Sequence, residues 1–323
     1  MKPYLAVLLA SCLSVGAETK EQINKSFAVQ PGGKLVMDVD FGSIEITTNS
    51  TGEVTVDVLR KVSRHNKADE EQFLKEHPVT MTQDGNTVTI SSKGKSKNSH
   101  WWSGSQRTEA KYTITVPAQF NAQVRTAGGG VTISDLTGGV KAGTSGGGFK
   151  FTRLNGSLDS ETSGGSIRVA DCEGTLKVNT SGGGIDVSGG GGSLDGSTSG
   201  GSIDVRDFRG PARVETSGGG IRLENVTGRV DGSTSGGSIT ARLSAEQAEE
   251  VRFETSGGGV TVQVPESWAF NLDAATSGGG VSSDLPVTVV GKTDRSSLKG
   301  SVNGGGKAMF LRTSGGSIHV KKL

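Results

Sequence analysis

Apolar and polar residues alternate in short bursts through most of this chain. Ile167-Arg168-Val169, Ile185-Asp186-Val187, Ile203-Asp204-Val205 and Ile221-Arg222-Leu223 are four of them. Alternation over a few positions predicts a strand with one face buried. The bursts keep a fixed frame. Written from Thr162, the chain reads TSGGSIRVA, DCEGTLKVN, TSGGGIDVS, GGGGSLDGS, each unit nine residues long. Position four is Gly, position six is apolar, and position eight is apolar or small, with Gly196 and Gly232 as the smallest cases. Positions six and eight face one side and position seven the other. The Gly before each strand suits a corner that needs a positive φ or a close backbone approach.

Two nonapeptides make an 18-residue coil. Thr-Ser-Gly-Gly opens such coils at Thr144, Thr162, Thr180, Thr198, Thr216 and Thr234, with a variant at Thr126. It returns at Thr255, Thr276 and Thr313 at longer spacing. A repeat of this kind predicts stacked supersecondary units. The predicted fold is all-β: a single-chain parallel β-solenoid, or β-helix, with right-handed winding expected and coils about 4.8 Å apart.

The frame also fits Gly33-x-Leu35-x-Met37 and Gly42-x-Ile44-x-Ile46. Residues 18–59 are therefore read as the first solenoid strands and 117–323 as the main repeats. Residues 60–116 are read as an inserted capping segment. It carries a helix over about 67–76, capped by Asn66 and stopped before Pro78, and a hairpin around Asp84-Gly85-Asn86. Residues 285–312 form a later excursion, after which TSGGSIHV closes the stack.

Residues 1–17 read as a signal peptide. An apolar run, Tyr4–Ala10, precedes small residues, and cleavage is expected near Ala17. Leu9-Ala10-Ser11-Cys12 also resembles a bacterial lipobox, which makes Cys12 a candidate for lipidation and a lipid anchor. No later run is long enough to span a membrane. The expected location is extracytoplasmic. Cys172, read in a turn position, is the only other cysteine.

Gly accounts for 52 of 323 residues, and the formal net charge is +1. A balanced charge gives no drive toward nucleic acid. No metal or cofactor is expected. His65, His77, His100 and His319 lack metal-ligand spacing. In calcium-binding β-rolls of pattern G-G-x-G-x-D-x-U-x, the sixth position supplies an Asp ligand; here it is apolar.

Outward position seven carries order. Lys141, Asp159, Lys177, Asp195, Arg213 and Asp231 alternate in sign on successive coils, which predicts an ion-pair ladder. On the other strands, Arg168, Asp186, Asp204 and Arg222 place two carboxylates between two arginines. Paired carboxylates about 5–9.5 Å apart are the requirement of glycoside hydrolysis, so this cluster is the candidate carbohydrate site. The recurring Thr predicts hydroxyl ladders that satisfy turn backbone. The candidate partner surface is the basic Trp loop with Lys95, Lys97, Trp101, Trp102 and Arg107, suited to a sugar, lipid or protein contact.

The TSGG(G/S)-(I/V)-x-V repeats, GSIEI near residue 42, and YTITVP (Tyr112–Pro117) resemble the bacterial putative-adhesin family across about residues 30–321. That resemblance implies a Gly-rich repeat β-helix in a domain of unknown function and supplies no catalytic residues. The expected function is an exported, non-enzymatic, adhesin-like protein of the cell envelope with an envelope, cell-surface or glycan partner. The alternatives are a carbohydrate-active β-helix using the Asp pair and a lipid-anchored periplasmic scaffold or envelope sensor.

Overall fold

The computed structural model describes residues 9–14, 18–94, 107–244, 248–289 and 294–323. The chain forms two compact units, Met1–Thr162 and Ser163–Leu323. Both are built from solenoid coils, each coil giving one strand to each of two sheets. Parallel pairing runs through the coils of each unit.

In the first unit, one sheet runs Leu9–Ser14, Thr19–Ala28, Glu53–Ser63, Arg107–Pro117, Ser43–Asn49, Val131–Ser134 and Phe149–Thr152. The other runs Thr80–Asp84, Thr87–Ser92, Gly33–Phe41, Phe120–Gly128, Val140–Thr144 and Leu158–Thr162. Residues 60–116 thus do more than cover an edge. Thr87–Ser92 and Arg107–Pro117 pair in parallel with the strands of the first coil and form a coil outside it. Four antiparallel strands (Leu9–Ser14, Thr19–Ala28, Glu53–Ser63 and Thr80–Asp84) and the helix Lys67–Glu76 complete that end. Asn66 caps the helix by accepting the Asp69 amide at 2.9 Å.

In the second unit, the coils stack in chain order up to Val260–Val264. There the order breaks. Lys307–Thr313 and Ile318–Lys322 lie between the preceding coil and the coil made by Phe270–Thr276 and Val281–Ser283. TSGGSIHV was expected to close the stack but is second from its end. The outermost positions go to Val281–Ser283 in one sheet and to the antiparallel strands Ser297–Val302 and Val287–Val289 in the other. A returning strand leaves less open edge than a bare parallel coil.

Positions six and eight fill the core as the alternation predicts; Ile203, Val205, Ile221 and Leu223 are buried. A third inward column was not foreseen. Leu136, Leu154, Cys172, Phe208 and Val226 are buried. Cys172, read in a turn position, follows a turn and is buried in the core. The cause lies one residue earlier. Asp135, Arg153, Asp171, Asp207 and Asn225 all have φ of 52–63°. The left-handed residue turns the chain so that the next side chain points inward. Where position eight is Gly, neighbours supply the packing. A Cβ on Gly196 would touch Val178 and Val214 at 3.6 Å, and the Phe253 ring closes over Gly232.

Candidate functional site

The corner of each coil is made by its threonine. Thr198, Thr216 and Thr234 are buried. Each hydroxyl donates to a Gly carbonyl of the preceding coil (Thr198 to Gly183, Thr216 to Gly201, Thr234 to Gly219) at 2.7–2.8 Å. It also accepts the amide of the Gly three residues on, at 3.3 Å. Hydroxyl-to-hydroxyl ladders are not what forms. One hydroxyl clips two backbones, satisfying polar groups that burial would otherwise penalise. The clip demands Gly. A Cβ on Gly201 would stand 2.1 Å from the Gly183 carbonyl oxygen. In the second nonapeptide the same position also needs a positive φ, as at Gly210 (131°).

The serine beside each threonine is placed oppositely. Ser217, Ser235, Ser256, Ser277 and Ser314 are exposed. Among the described residues none of their hydroxyls has a hydrogen-bond partner. Ser235, Ser256, Ser277 and Ser314 line a cleft of about 550 Å³ with Glu215, Glu254 and Arg312. Arg312 is fixed there by its bond to Asp273 at 2.6 Å, and Glu254 by Arg252 at 2.6 Å. The cleft thus offers free hydroxyls and charged groups whose positions are already set.

The candidate carbohydrate cluster is brought together as expected. Asp186 lies opposite Arg168 on one side and Asp204 on the other, and Asp204 opposite Arg222. Arg206 and Glu224 enter it unforeseen. Arg206 bonds both oxygens of Asp186 at 3.1 and 2.9 Å and lies 3.4 Å from Asp204. Arg222 is held by Glu224 at 2.5 Å. Both newcomers occupy position nine, which alternation sends outward with position seven. Reading that column would have found them. Burial pushes the Asp204 carboxyl above its ordinary pKa; Arg206 opposes the rise and Asp186 adds to it. The two acids share one guanidinium, which turns the cluster into a closed ion network.

The predicted ladder forms in register but only partly as ion pairs. Lys141 reaches Asp159 at 3.3 Å. Lys177 and Asp195 are opposite one another, yet among the described residues they make no ion pair. Arg213 stands nearest Glu215, at 4.0 Å. Exposed side chains two residues apart on one strand compete with the partner on the next coil.

Lys95, Lys97, Trp101 and Trp102 lie outside the described residues. Arg107 begins a strand opposite Ser63, and its carbonyl accepts from Arg64. Cys12 lies in Leu9–Ser14, which pairs antiparallel with Thr19–Ala28. Among the described residues no group of three His, Cys, Asp or Glu is placed to hold a metal, and no helix is long and apolar enough to cross a membrane.

A family model described as Toastrack DUF4097 matches residues 33–321. No curated protein matches the chain. Among solved structures, it is similar to a putative adhesin from Bacteroides fragilis NCTC 9343, at 15% identity, covering 94% of this chain and 97% of that one, with a TM-score of 0.34. It is also similar to a putative adhesin from Parabacteroides merdae ATCC 43184, at 11% identity, 94% and 96% coverage and a TM-score of 0.32. A putative cell adhesion protein from Clostridium sporogenes ATCC 15579 shows 13% identity, 93% and 99% coverage and a TM-score of 0.22. At these identities and scores the likenesses carry no argument about activity.

Proposed function

The chain belongs to the Toastrack DUF4097 family, and we propose that it is an exported, non-enzymatic protein of the bacterial cell envelope that works by adhesin-like binding. One observation carries this reading: the cleft lined by serine hydroxyls that the fold does not use. The threonine hydroxyls of the clips are consumed inside the coils, while the adjacent Ser235, Ser256, Ser277 and Ser314 face outward at a cleft with fixed charges. Rigid, pre-set polar groups lower the ordering cost of binding. A partner rich in hydroxyls, such as a cell-surface glycan, is the class that fits.

Binding of the mature protein to a glycan array and to intact cells tests this. The triple variant Ser235→Ala, Ser256→Ala, Ser314→Ala is expected to fold normally and lose binding. Undiminished binding by that variant would remove the cleft from the reading. The carbohydrate-active alternative is tested on the wild type with a polysaccharide panel; release of reducing ends that disappears in Asp186→Asn/Asp204→Asn would replace the non-enzymatic reading. Export with cleavage near Ala17 is read from the leader, and mass spectrometry of the mature N-terminus separates a free Glu18 from a lipidated Cys12.

A further inference from the structure

At the outermost coil of the second unit the stack ends and the chain turns back across its own corner. The Thr276 amide donates to the Ser296 carbonyl at 2.8 Å, and the Val281 amide to the Arg295 carbonyl at 2.9 Å. Residues 294–297 therefore stand where the next coil's corner would be. They bring Arg295 to a cleft of about 450 Å³ with Gly280, Ser282, Ser317 and His319.

Three donors converge there. Ser282 and His319 are opposite in register, and Ser282 Oγ lies 2.8 Å from His319 Nδ1. With the hydroxyl donating to Nδ1, the imidazole carries its proton on Nε2, free to donate outward. The Ser317 hydroxyl accepts the Gly280 amide at 3.3 Å, which leaves its own proton free. Arg295 is exposed, and no described carboxylate pairs with it. In the same unit Arg206, Arg209, Arg222, Arg229, Arg252 and Arg312 are each held by an acid, whereas Arg295, like Arg168 and Arg242, is in no ion pair among the described residues. The adjacent Asp294 is engaged by Ser296, whose amide and hydroxyl hold the carboxyl below its ordinary pKa. Lys321 and Lys322 continue the His319 strand, and Asp284 is the acid on the neighbouring segment.

We propose that this cleft binds a phosphate-type oxyanion, with the Arg295 guanidinium, the His319 Nε2–H and the Ser317 hydroxyl as its donors. The planar guanidinium fork suits two oxygens of one tetrahedral anion. A Ser–His pair also raises covalent catalysis. Here Thr261 faces His319 from the other neighbouring strand, and no described carboxylate bonds the imidazole, so the third member of a triad is not supplied. Binding is the chemistry the cleft supports. It does not depend on the serine cleft described above, and either can fail alone.

The test is a titration of the full mature chain with inorganic phosphate, followed by the His319 ring signals in NMR. A saturable shift is expected, weakened at least tenfold by Arg295→Ala and unchanged by Lys307→Ala, with circular dichroism confirming that both variants fold. A parallel titration with poly(glycerol phosphate) identifies the source. Tighter binding than inorganic phosphate points to a phosphodiester polymer, and equal or weaker binding to the free anion. The absence of a saturable His319 shift, or equal affinity in wild type and Arg295→Ala, would overturn the proposal.

Discussion

The regular coils of the second unit and the N-terminal edge of the first handle polar groups in opposite ways. In the coils, charge stays outside and only backbone and threonine hydroxyls are buried. At the N-terminal edge, whole charges are buried. Arg60 is 1% exposed; its Nε bonds Glu21 at 2.6 Å, and a terminal nitrogen bonds the His77 carbonyl. Glu70 is buried under the helix, accepting the Thr19 hydroxyl at 2.5 Å and the Arg64 amide at 3.0 Å. Arg64 lies over the Phe73 ring, which stacks on His77. A repeating coil has an identical neighbour above and below, so one small device, the threonine clip, serves every level. The edge coil lacks that second neighbour. Its crossing helix and antiparallel strands are joined by unique pairs, whose desolvation must be offset one by one.

This contrast predicts an order of sensitivities. Gly201→Ala should be the most damaging change, because the new Cβ meets backbone that cannot yield; a loss of roughly 5 kcal/mol or more is expected, seen as loss of the cooperative urea transition. Arg60→Ala should come next, costing about 3–5 kcal/mol by stranding Glu21, measured by the same transition. If Gly201→Ala proved the milder of the two, the close-packed corner would not be the rigid element described here.

Glu70 sharpens the comparison through pH. Burial alone would raise its pKa, but bonds from the Thr19 hydroxyl and the Arg64 and Thr19 amides, together with the Arg64 charge, more than offset this and leave it lowered. A lowered folded pKa contributes stability that is present above the unfolded value and is lost as pH falls through the folded value. Stability should therefore decline on acidification below the ordinary carboxylate range, and Glu70→Gln should flatten that decline. An unchanged acid limb in the variant would show that Glu70 is not its source.

Thr216→Val keeps the shape of a clip and removes its hydroxyl, leaving the Gly201 carbonyl and Gly219 amide short of a partner; about 1–3 kcal/mol is expected from denaturant midpoints. The smallest effect belongs to Asp186→Asn. The ion network is exposed, with Arg206 and Asp186 side chains 39% and 44% accessible, so its stability change should stay within about 1 kcal/mol and shrink further in salt.

The regular part of the fold was legible because its causes are local. Alternation around Ile203 and Val205, the beat of the Gly residues and the 18-residue spacing each follow from contacts between a coil and its copy. The helix Lys67–Glu76 was legible for the same reason, since Asn66 caps it from three residues away. The Asp186–Asp204 neighbourhood followed from period alone, while Arg206 escaped only because position nine was not read as outward.

What the sequence by itself determined was the coil: its length, its inward residues at positions six and eight, and its stacking register, all dictated by short-range sterics repeated many times. Tertiary structure decided the ends and the exceptions. The insertion of Lys307–Lys322 beneath Phe270–Ser283, the outer pairing of Thr87–Ser92 and Arg107–Pro117, the inward turn of Cys172 and the arrival of Arg295 at the His319 cleft all depend on which distant segment fills an unpartnered edge. Such choices compare burial and pairing between segments far apart in the chain, and no periodicity in either segment records the outcome.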